Sequence, residues 1–324
     1  MKNTRVAVLR GGPSSEYDVS MITGAGVLSA LSELGYFTKD IVVTKSGDWI
    51  IEGVVKSPDS ALLAIDVVFI AMHGAYGEDG TVQKICERHH IPFTGSNSFP
   101  SNLAFNKDAT KRSLRDSGVR LPKHVKVKRE DYEHFTEIAA AILNEIGSEV
   151  VLKPTNSGSS HGVMMVGDDA SLVKALEDMS VVYEEFMVEE RIRGTEATVA
   201  LLEDFRNQTH YLLPAIEIVP PQSSDFFDAE VKYNGATLEL CPGRFSQAEK
   251  ELLAEAALTV HQDLGLSQYS RSDFIVRNGE VYFLEVNTLP GLTPESLFPR
   301  AAAAVGCTFT QLIEHLILTA RVKR

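Results

Sequence analysis

Apolar positions along the chain change period several times, and each change marks an element. Val6–Leu9 is a short apolar strand, Gly11-Gly12 a turn, and Ser15–Leu34 a helix that ends at Gly35. Ile41–Thr44 reads as a second strand, and Val67–Ala71, apolar without alternation, as a parallel strand buried on both faces. This alternation of strand and helix predicts an open α/β layer over residues 1–100, with ligands beyond the carboxyl ends of its strands. Two loops leave those ends: GGPSSE after the first strand and HGAYGEDG, His73–Gly80, after the buried one. Their glycines let backbone approach a ligand. Glu16 falls in the first helical turn, where the commoner role of a glutamate is to oppose the helix dipole. Gly24-x-Gly26 lies too far from the strand, and lacks the third glycine, to be a dinucleotide fingerprint.

Turn-forming residues from Pro92 to Pro100 predict a first domain boundary. A basic helix from Asn106 to Gly118 carries Lys107, Lys111, Arg112 and Arg115, side chains that ordinarily stay in water. A strand His124–Val127, a helix Tyr132–Ile146 and a strand Glu149–Lys153 follow. Then comes KPTNSGSSHG, Lys153–Gly162, a loop of small residues whose amides and hydroxyls suit phosphate, with a lysine as point charge at its start. GxxxxGK[ST] occurs nowhere, so any nucleotide is held without a Walker A loop. A helix near Ser171–Asp178 precedes strands at Phe186–Glu190 and Glu196–Leu202, whose Glu189, Glu190 and Glu196 an acidic surface would also explain. Gln208–Pro220 holds a strand, Phe227–Gly235 is a polar loop with Lys232 and Tyr233, and Ser246-x-x-Glu249 is a capping box for a helix to Gly265. Two helices finish the chain.

Between them, Arg271–Leu297 reads as a β-hairpin turning at Asn278-Gly279, and the rest of the chain is arranged around it. A two-residue loop there would put Asp273 on the face opposite Glu285, because side chains alternate along a strand. A three-residue loop, Arg277–Gly279 with Gly279 left-handed, puts Asp273, Glu285 and Asn287 on one face, and this is the expected arrangement. Two carboxylates and an amide oxygen suit Mg2+ better than zinc. The bland alternative is a solvated sheet edge. Against it, Glu285 and Asn287 follow the apolar run Val281–Leu284, where unpaired charge is costly.

At 324 residues the chain has room for two or three domains, and a formal charge of −13 disfavours general binding to nucleic acid or anionic membrane. Phosphate must then be met by a local basic patch. The apolar start of the chain is too short for a signal-peptide core, and Asp66 interrupts the longest apolar run, so a soluble cytoplasmic protein is expected. Cys86, Cys241 and Cys307 are few, odd in number and widely spaced, which predicts reduced thiols rather than a disulfide framework or zinc site.

Seven motifs, in one order, resemble the D-alanine:D-alanine ligases of the ATP-grasp superfamily: GGPSSEYDVS, HGAYGEDG, VVLKPTNSGSSHGV, EERIRGTEATV, DAEVKY, RSDF and LEVNTLPGLTPESL. The resemblance implies an α/β (α+β) ATP-grasp protein of three domains, with ATP held between two antiparallel sheets beside the N-terminal open parallel layer. The units expected are 1–100 on the substrate side, 101–185 as the central subdomain, and 186–324 with metal and substrate sites. By resemblance, Lys107, Lys153, Ser159, Ser160 and Lys232 would meet the nucleotide phosphates. Glu189, Glu190, Arg191 and Ile192 would form the adenine-binding strand, and Glu196 would take the ribose. Asp273, Glu285 and Asn287 match the ligands of Mg2+, two ions by analogy, with Mn2+ an alternative. Glu16 would receive the ammonium of the first D-alanine and form a hydrogen-bonded set with Ser159 and Tyr233. His73 and Lys232 would face the substrate carboxylate and the moving phosphate. Arg271 and the Gly291 amide would hold the oxyanion, and Ser296 and Leu297 the second carboxylate. Segments 156–161 and 223–235 would close as lids, and a homodimer is implied.

The chain departs from the family pattern at Tyr17, where histidine is usual, across Asn102–Lys107, and at Ala229, where an aromatic is usual. These positions bear on the Glu16 loop and on lid packing, and none is in the metal set. Rival readings are a ligase taking D-lactate or D-serine second, of which Tyr233, by favouring an amine nucleophile, disfavours D-lactate, and another ATP-grasp carboxylate-amine ligase, which would not keep Glu16, Ser159 and Ser296 together. A non-catalytic nucleotide-binding module would be expected to lack a lysine or a metal ligand.

Overall fold

The computed structural model describes residues 3–158, 161–220 and 237–320. Its first sheet contains β1 (Arg5–Gly11), β2 (Phe37–Val43), β3 (Trp49–Ile51), β4 (Val54–Lys56) and β5 (Val67–Ile70), in the order β4-β3-β2-β1-β5. β1 lies between parallel β2 and β5, so the direction of winding reverses beside it and a crevice opens at the strands' carboxyl ends. GGPSSE and HGAYGEDG both leave there. The short β3–β4 hairpin has too few residues for an alternating pattern to register in sequence. Its Trp49 is buried and donates to the Tyr76 hydroxyl at 3.0 Å.

The core of this layer draws on both ends of the chain. Val6, Val8, Val27 and Leu31 pack in one cluster with Phe298, Leu312, Ile313 and Leu316, which belong to the helices Leu297–Ala304 and Phe309–Thr319.

A four-stranded antiparallel sheet follows, built from β6 (His124–Lys128), β7 (Val150–Pro154), β8 (Met164–Val166) and β9 (Glu185–Glu190), ordered β6-β9-β7-β8. The helices Phe135–Glu145 and Asp169–Val182 cover it through Ala139, Ile142, Leu172 and Leu176. A boundary at 186 would split this sheet: β9 is an inner strand, and its Phe186 and Val188 are fully buried in the same core. The second sheet runs through Glu190.

The turn-rich connection is also shorter than its composition suggests. Ser98–Phe105 is a helix with Pro100 in its first turn, where a missing N–H leaves no bond unmade. Asn106 then starts a second helix, Lys107–Ser113, by accepting from the Ala109 amide at 2.8 Å.

The third sheet holds β10 (Thr195–Phe205), β11 (Gln208–Leu212), β12 (Ile216–Val219), β13 (Leu238–Leu240), β14 (Tyr269–Arg277) and β15 (Glu280–Asn287). Its order is β13-β12-β10-β14-β15, with β11 paired to β10 alone. The helix Gln247–Asp263, opened by the Ser246/Glu249 capping box, packs on one face through Leu253, Ala257 and Val260.

The β14–β15 hairpin corrects one expectation while keeping its consequence. Arg277 pairs with Glu280, so the loop is the two-residue Asn278-Gly279 turn, with φ of 53° and 78°. Parity is restored by a bulge: Phe274 opposes Phe283 but Asp273 opposes Glu285, leaving Leu284 as the extra residue. Asp273, Glu285 and Asn287 therefore share a face by a different device. Phe274 and Phe283, both fully buried with ring centroids 5.9 Å apart, fix the strands just beyond the bulge. Nothing lies within 4 Å of where a Cβ on Gly279 would sit. Gly279→Ala should therefore lose only backbone conformational energy, about 1–2 kcal/mol, read as a lower urea midpoint with unchanged slope.

Candidate functional site

A cavity of about 480 Å³ lies between the second and third sheets. Lys107, Lys153, Glu189, Glu190, Arg191, Ile192 and Glu196 line it together with Arg271, Asp273, Glu285 and Leu297. Between these polar groups stand Val151, Met165, Ile218, Ile275 and Leu284, walls that suit a flat apolar ring.

At the hairpin end, charges are closely paired. Arg271 is bidentate to Asp273, Nε to Oδ1 at 3.0 Å and a second nitrogen to Oδ2 at 2.8 Å. Thr198 donates to Asp273 Oδ1 at 2.5 Å, and Asn287 Nδ2 to Oδ2 at 3.1 Å. Burial alone would lower the Arg271 pKa, but Asp273, with Glu285 and Glu78, outweighs it and raises it, so the guanidinium stays charged. Glu285 meets Lys107 Nζ at 3.1 Å. Lys107 also donates to the Ser157 carbonyl, which ties the start of its helix to the flap after β7.

The second lysine pair overturns the expectation of a solvated helix. Lys111 is fully buried, its Nζ 2.6 Å from Glu189 Oε2 and over the ring of Phe283, while Lys153 Nζ reaches Glu189 Oε1 at 2.8 Å. Burial pushes the Lys111 pKa down to about 8 despite Glu189. Burial alone would raise the Glu189 carboxyl, but Lys111 and Lys153 together hold it below its ordinary range. Glu189 thus presents its side chain to two lysines. The spacing Lys107/Lys111, four residues on one helical face, was the available signal for Lys111.

A small adjoining cavity of about 30 Å³ joins this end to the first sheet; Glu16, Glu78, Lys107, Ser157, Gly158, Glu285 and Asn287 line it. A Cβ on Gly74 would lie 2.8 Å from Glu16 Oε2 and one on Gly158 2.9 Å from it, so both loops approach that carboxylate closely and a larger residue at either would push it aside; Gly74 also sits at a φ of 69° that favours glycine. Glu78, which the sequence reading passed over, accepts from the amides of Gly74 at 3.1 Å, Thr288 at 3.2 Å and Leu289 at 3.2 Å. It clamps the HGAYGEDG loop to the backbone just after Asn287. Burial, reinforced by the charge of Glu16, pushes Glu78 up to about 7.

His73 belongs to the same clamp rather than to an open substrate face. It is buried, with Nδ1 2.9 Å from the Leu289 carbonyl and Nε2 2.9 Å from the Thr23 hydroxyl. The carbonyl requires a proton on Nδ1, and burial lowers the pKa, so the ring is the neutral Nδ1–H tautomer accepting from Thr23.

Gly291, Ser296 and Leu297 cluster after the hairpin. A Cβ on Gly291 would lie 2.8 Å from Ser296 Oγ, and that oxygen accepts from the Thr293 amide at 3.0 Å. Leu297 reaches the large cavity. Ser159, Ser160, Lys232 and Tyr233, and with them the 223–235 segment, lie outside the described residues.

An open α/β layer set against two antiparallel sheets that close on a cavity, with lysines from one side and carboxylates from the other, is the ATP-grasp architecture. A Bacillus anthracis D-alanine–D-alanine ligase solved with ATP has the same fold: TM-score 0.81, 30% identity, 98% of this chain and 97% of that one covered. The VanG D-Ala:D-Ser ligase of Enterococcus faecalis superposes with TM-score 0.85 at 29% identity, covering 98% of this chain and 99% of its own.

Residues 52–96 match the family described as D-ala D-ala ligase N-terminus and residues 114–318 that described as D-ala D-ala ligase C-terminus. A D-alanine–D-alanine ligase of Geobacter sulfurreducens is 38% identical over 327 residues, covering 100% of this chain and 96% of its own length. The chain belongs to the D-alanine–D-alanine ligase family.

Proposed function

We propose that the chain joins two D-alanine molecules into D-alanyl-D-alanine at the expense of ATP, releasing ADP and phosphate, as a step in making peptidoglycan precursors. One observation carries this reading: the two cavities share Lys107, Ser157, Gly158 and Glu285, so a nucleotide's phosphate end and the Glu16 crevice meet at one point. A carboxylate is a poor acyl donor until phosphorylated, and that requires its oxygen beside the terminal phosphate.

Glu16 supplies the negative charge that receives the first amino acid's ammonium. Lys107 and Lys153 neutralise phosphate oxygens as charge moves, and Glu189 keeps Lys153 extended toward them. Arg271 and the Gly291 amide stabilise the tetrahedral oxyanion when the second amine attacks the acyl phosphate, and Ser296 with Leu297 receives the second carboxylate. In this reading Ser159, Ser160, Lys232 and Tyr233 complete the site, and the segments 156–161 and 223–235 exclude water that would hydrolyse the acyl phosphate.

Asp273, Glu285 and Asn287 would hold Mg2+, with Mn2+ as substitute. The donor set fits, because an amide flip of Asn287 presents Oδ1 where Nδ2 now meets Asp273, giving three hard oxygens on one face. When bound there the ion supplies charge neutralisation at the transferring phosphoryl group. The same reading takes the protein as a cytoplasmic homodimer. Among the described residues no single helix is long and apolar enough to cross a membrane.

Phosphate release should depend on D-alanine and be accompanied by the dipeptide. Equal release with L-alanine would show that the substrate is wrong. The likeness to the VanG D-Ala:D-Ser ligase keeps a D-serine-accepting enzyme as the second reading. Adding D-serine or D-lactate beside D-alanine decides it by which mixed product forms.

A further inference from the structure

We propose that Glu203, His210 and His261 form a binding site for a divalent transition-metal ion, separate from the nucleotide cavity. Glu203 on β10 and His210 on β11 are direct cross-strand partners, so their side chains stand on one face of the third sheet. Ala197 and Val199 share that face by parity and bury against Leu253, Ala257 and Val260 of the helix Gln247–Asp263. His261, the next residue of that helix, therefore descends onto the pair.

One ligating atom from each of the three residues lies within 4.8 Å of the other two. His261 Nε2 is 3.3 Å from Glu203 Oε1, and its ring centroid is 6.0 Å from that of His210. An ion at about 2.1 Å from each atom would draw the donors to roughly 3.0–3.5 Å apart. That closure is small. Among the described residues β11 pairs only with β10, and His210 is partly buried, so its ring is free to reorient on one side.

The geometry also selects the ion. His261 Nε2 donates to Glu203 Oε1 in the metal-free chain, and its Nδ1 lies 2.8 Å from the Ser270 hydroxyl; an ion replacing the Nε2 proton leaves Nδ1–H donating to Ser270, which would hold the ring with Nε2 toward the cluster. Ligating histidines are ordinarily oriented through the opposite nitrogen in this way. Two imidazoles and one carboxylate form a softer set than the all-oxygen group of Asp273, Glu285 and Asn287, so Zn2+, Ni2+ or Cu2+ is favoured over Mg2+.

The cluster is also remote from the reaction. Thr198, which bonds Asp273, faces the opposite side of β10, and Glu203 lies five residues further along, about 17 Å at the usual strand rise. A bound ion would pin the β10–β11 hairpin to the covering helix and leave the reacting groups untouched.

The test uses the full chain, stripped with chelator and kept in excess Mg2+ to saturate the oxygen set. Calorimetric titration with Zn2+ should find one site per chain, weakened about 10-fold or more in both His210→Ala and Glu203→Gln. Cu2+ in the same site should show nitrogen superhyperfine splitting by electron paramagnetic resonance, reduced in His210→Ala. Neither substitution empties the core, because both side chains are partly exposed. Absence of a Zn2+ site, or a site of equal affinity in both variants, would overturn the proposal; so would a copper spectrum without nitrogen coupling.

Discussion

Glu285→Ala is expected to lower ADP formation by about 10²–10³-fold or more, the range seen when one charge-stabilising group is removed from a preorganised site. The effect has two sources. Alanine deletes a carboxylate that stands directly opposite Asp273, and it releases Lys107, whose Nζ is held 3.1 Å from the Glu285 oxygen. The proposed ion-binding face then keeps a single carboxylate, and the lysine loses its fixed position beside the flap. The fold should survive, since the Glu285 side chain is 29% exposed and fills no core position. Steady-state ADP release with Mg-ATP and D-alanine measures it, and turnover near that of the parent would remove the metal assignment.

Lys111→Met should act through stability first. The lysine is enclosed between Glu189 and the face of Phe283, so its loss leaves a buried carboxylate with one remaining partner. Breaking a buried ion pair from one side costs roughly 3–5 kcal/mol, far above the value of an exposed pair. Lys153 would also be drawn toward the uncompensated Glu189, so ATP affinity should fall as well. Urea denaturation measures the first effect and nucleotide titration the second. The double variant Lys111→Met with Glu189→Gln should regain most of the lost stability, because it removes the stranded charge. A single-variant loss below about 1 kcal/mol would mean that the pair contributes no more than a surface contact.

These two residues mark how far the sequence could be read. Glu285 was legible because an alternating strand, a turn signal and a run of apolar neighbours are local features. Even so, the face it shares with Asp273 comes from a bulge at Leu284 rather than from loop length, and no strand pattern distinguishes those two routes to the same parity. Lys111 sits in a basic stretch that composition assigns to water. Its burial depends on Glu189 and Phe283, strands that arrive much later in the chain. Glu78 was missed for the same reason, as two of its three amide partners lie 210 and 211 residues away. In the first layer β1 and β5 were read from unbroken apolar runs, whereas of β2 only the apolar end was legible, as Ile41–Thr44. The place of β9 in the second sheet was not legible, since nothing in its sequence says which of two sheets it joins.

The shared core of the first layer has a consequence for biosynthesis. Val6, Val8 and Leu31 emerge from the ribosome early, yet Phe298, Leu312 and Leu316, which share their core, are translated long after them. Until those helices are made, part of the layer's apolar surface lacks its final cover, the kind of exposure that recruits chaperones. The amino-terminal layer therefore completes its core only after the helices Leu297–Ala304 and Phe309–Thr319 have been synthesised.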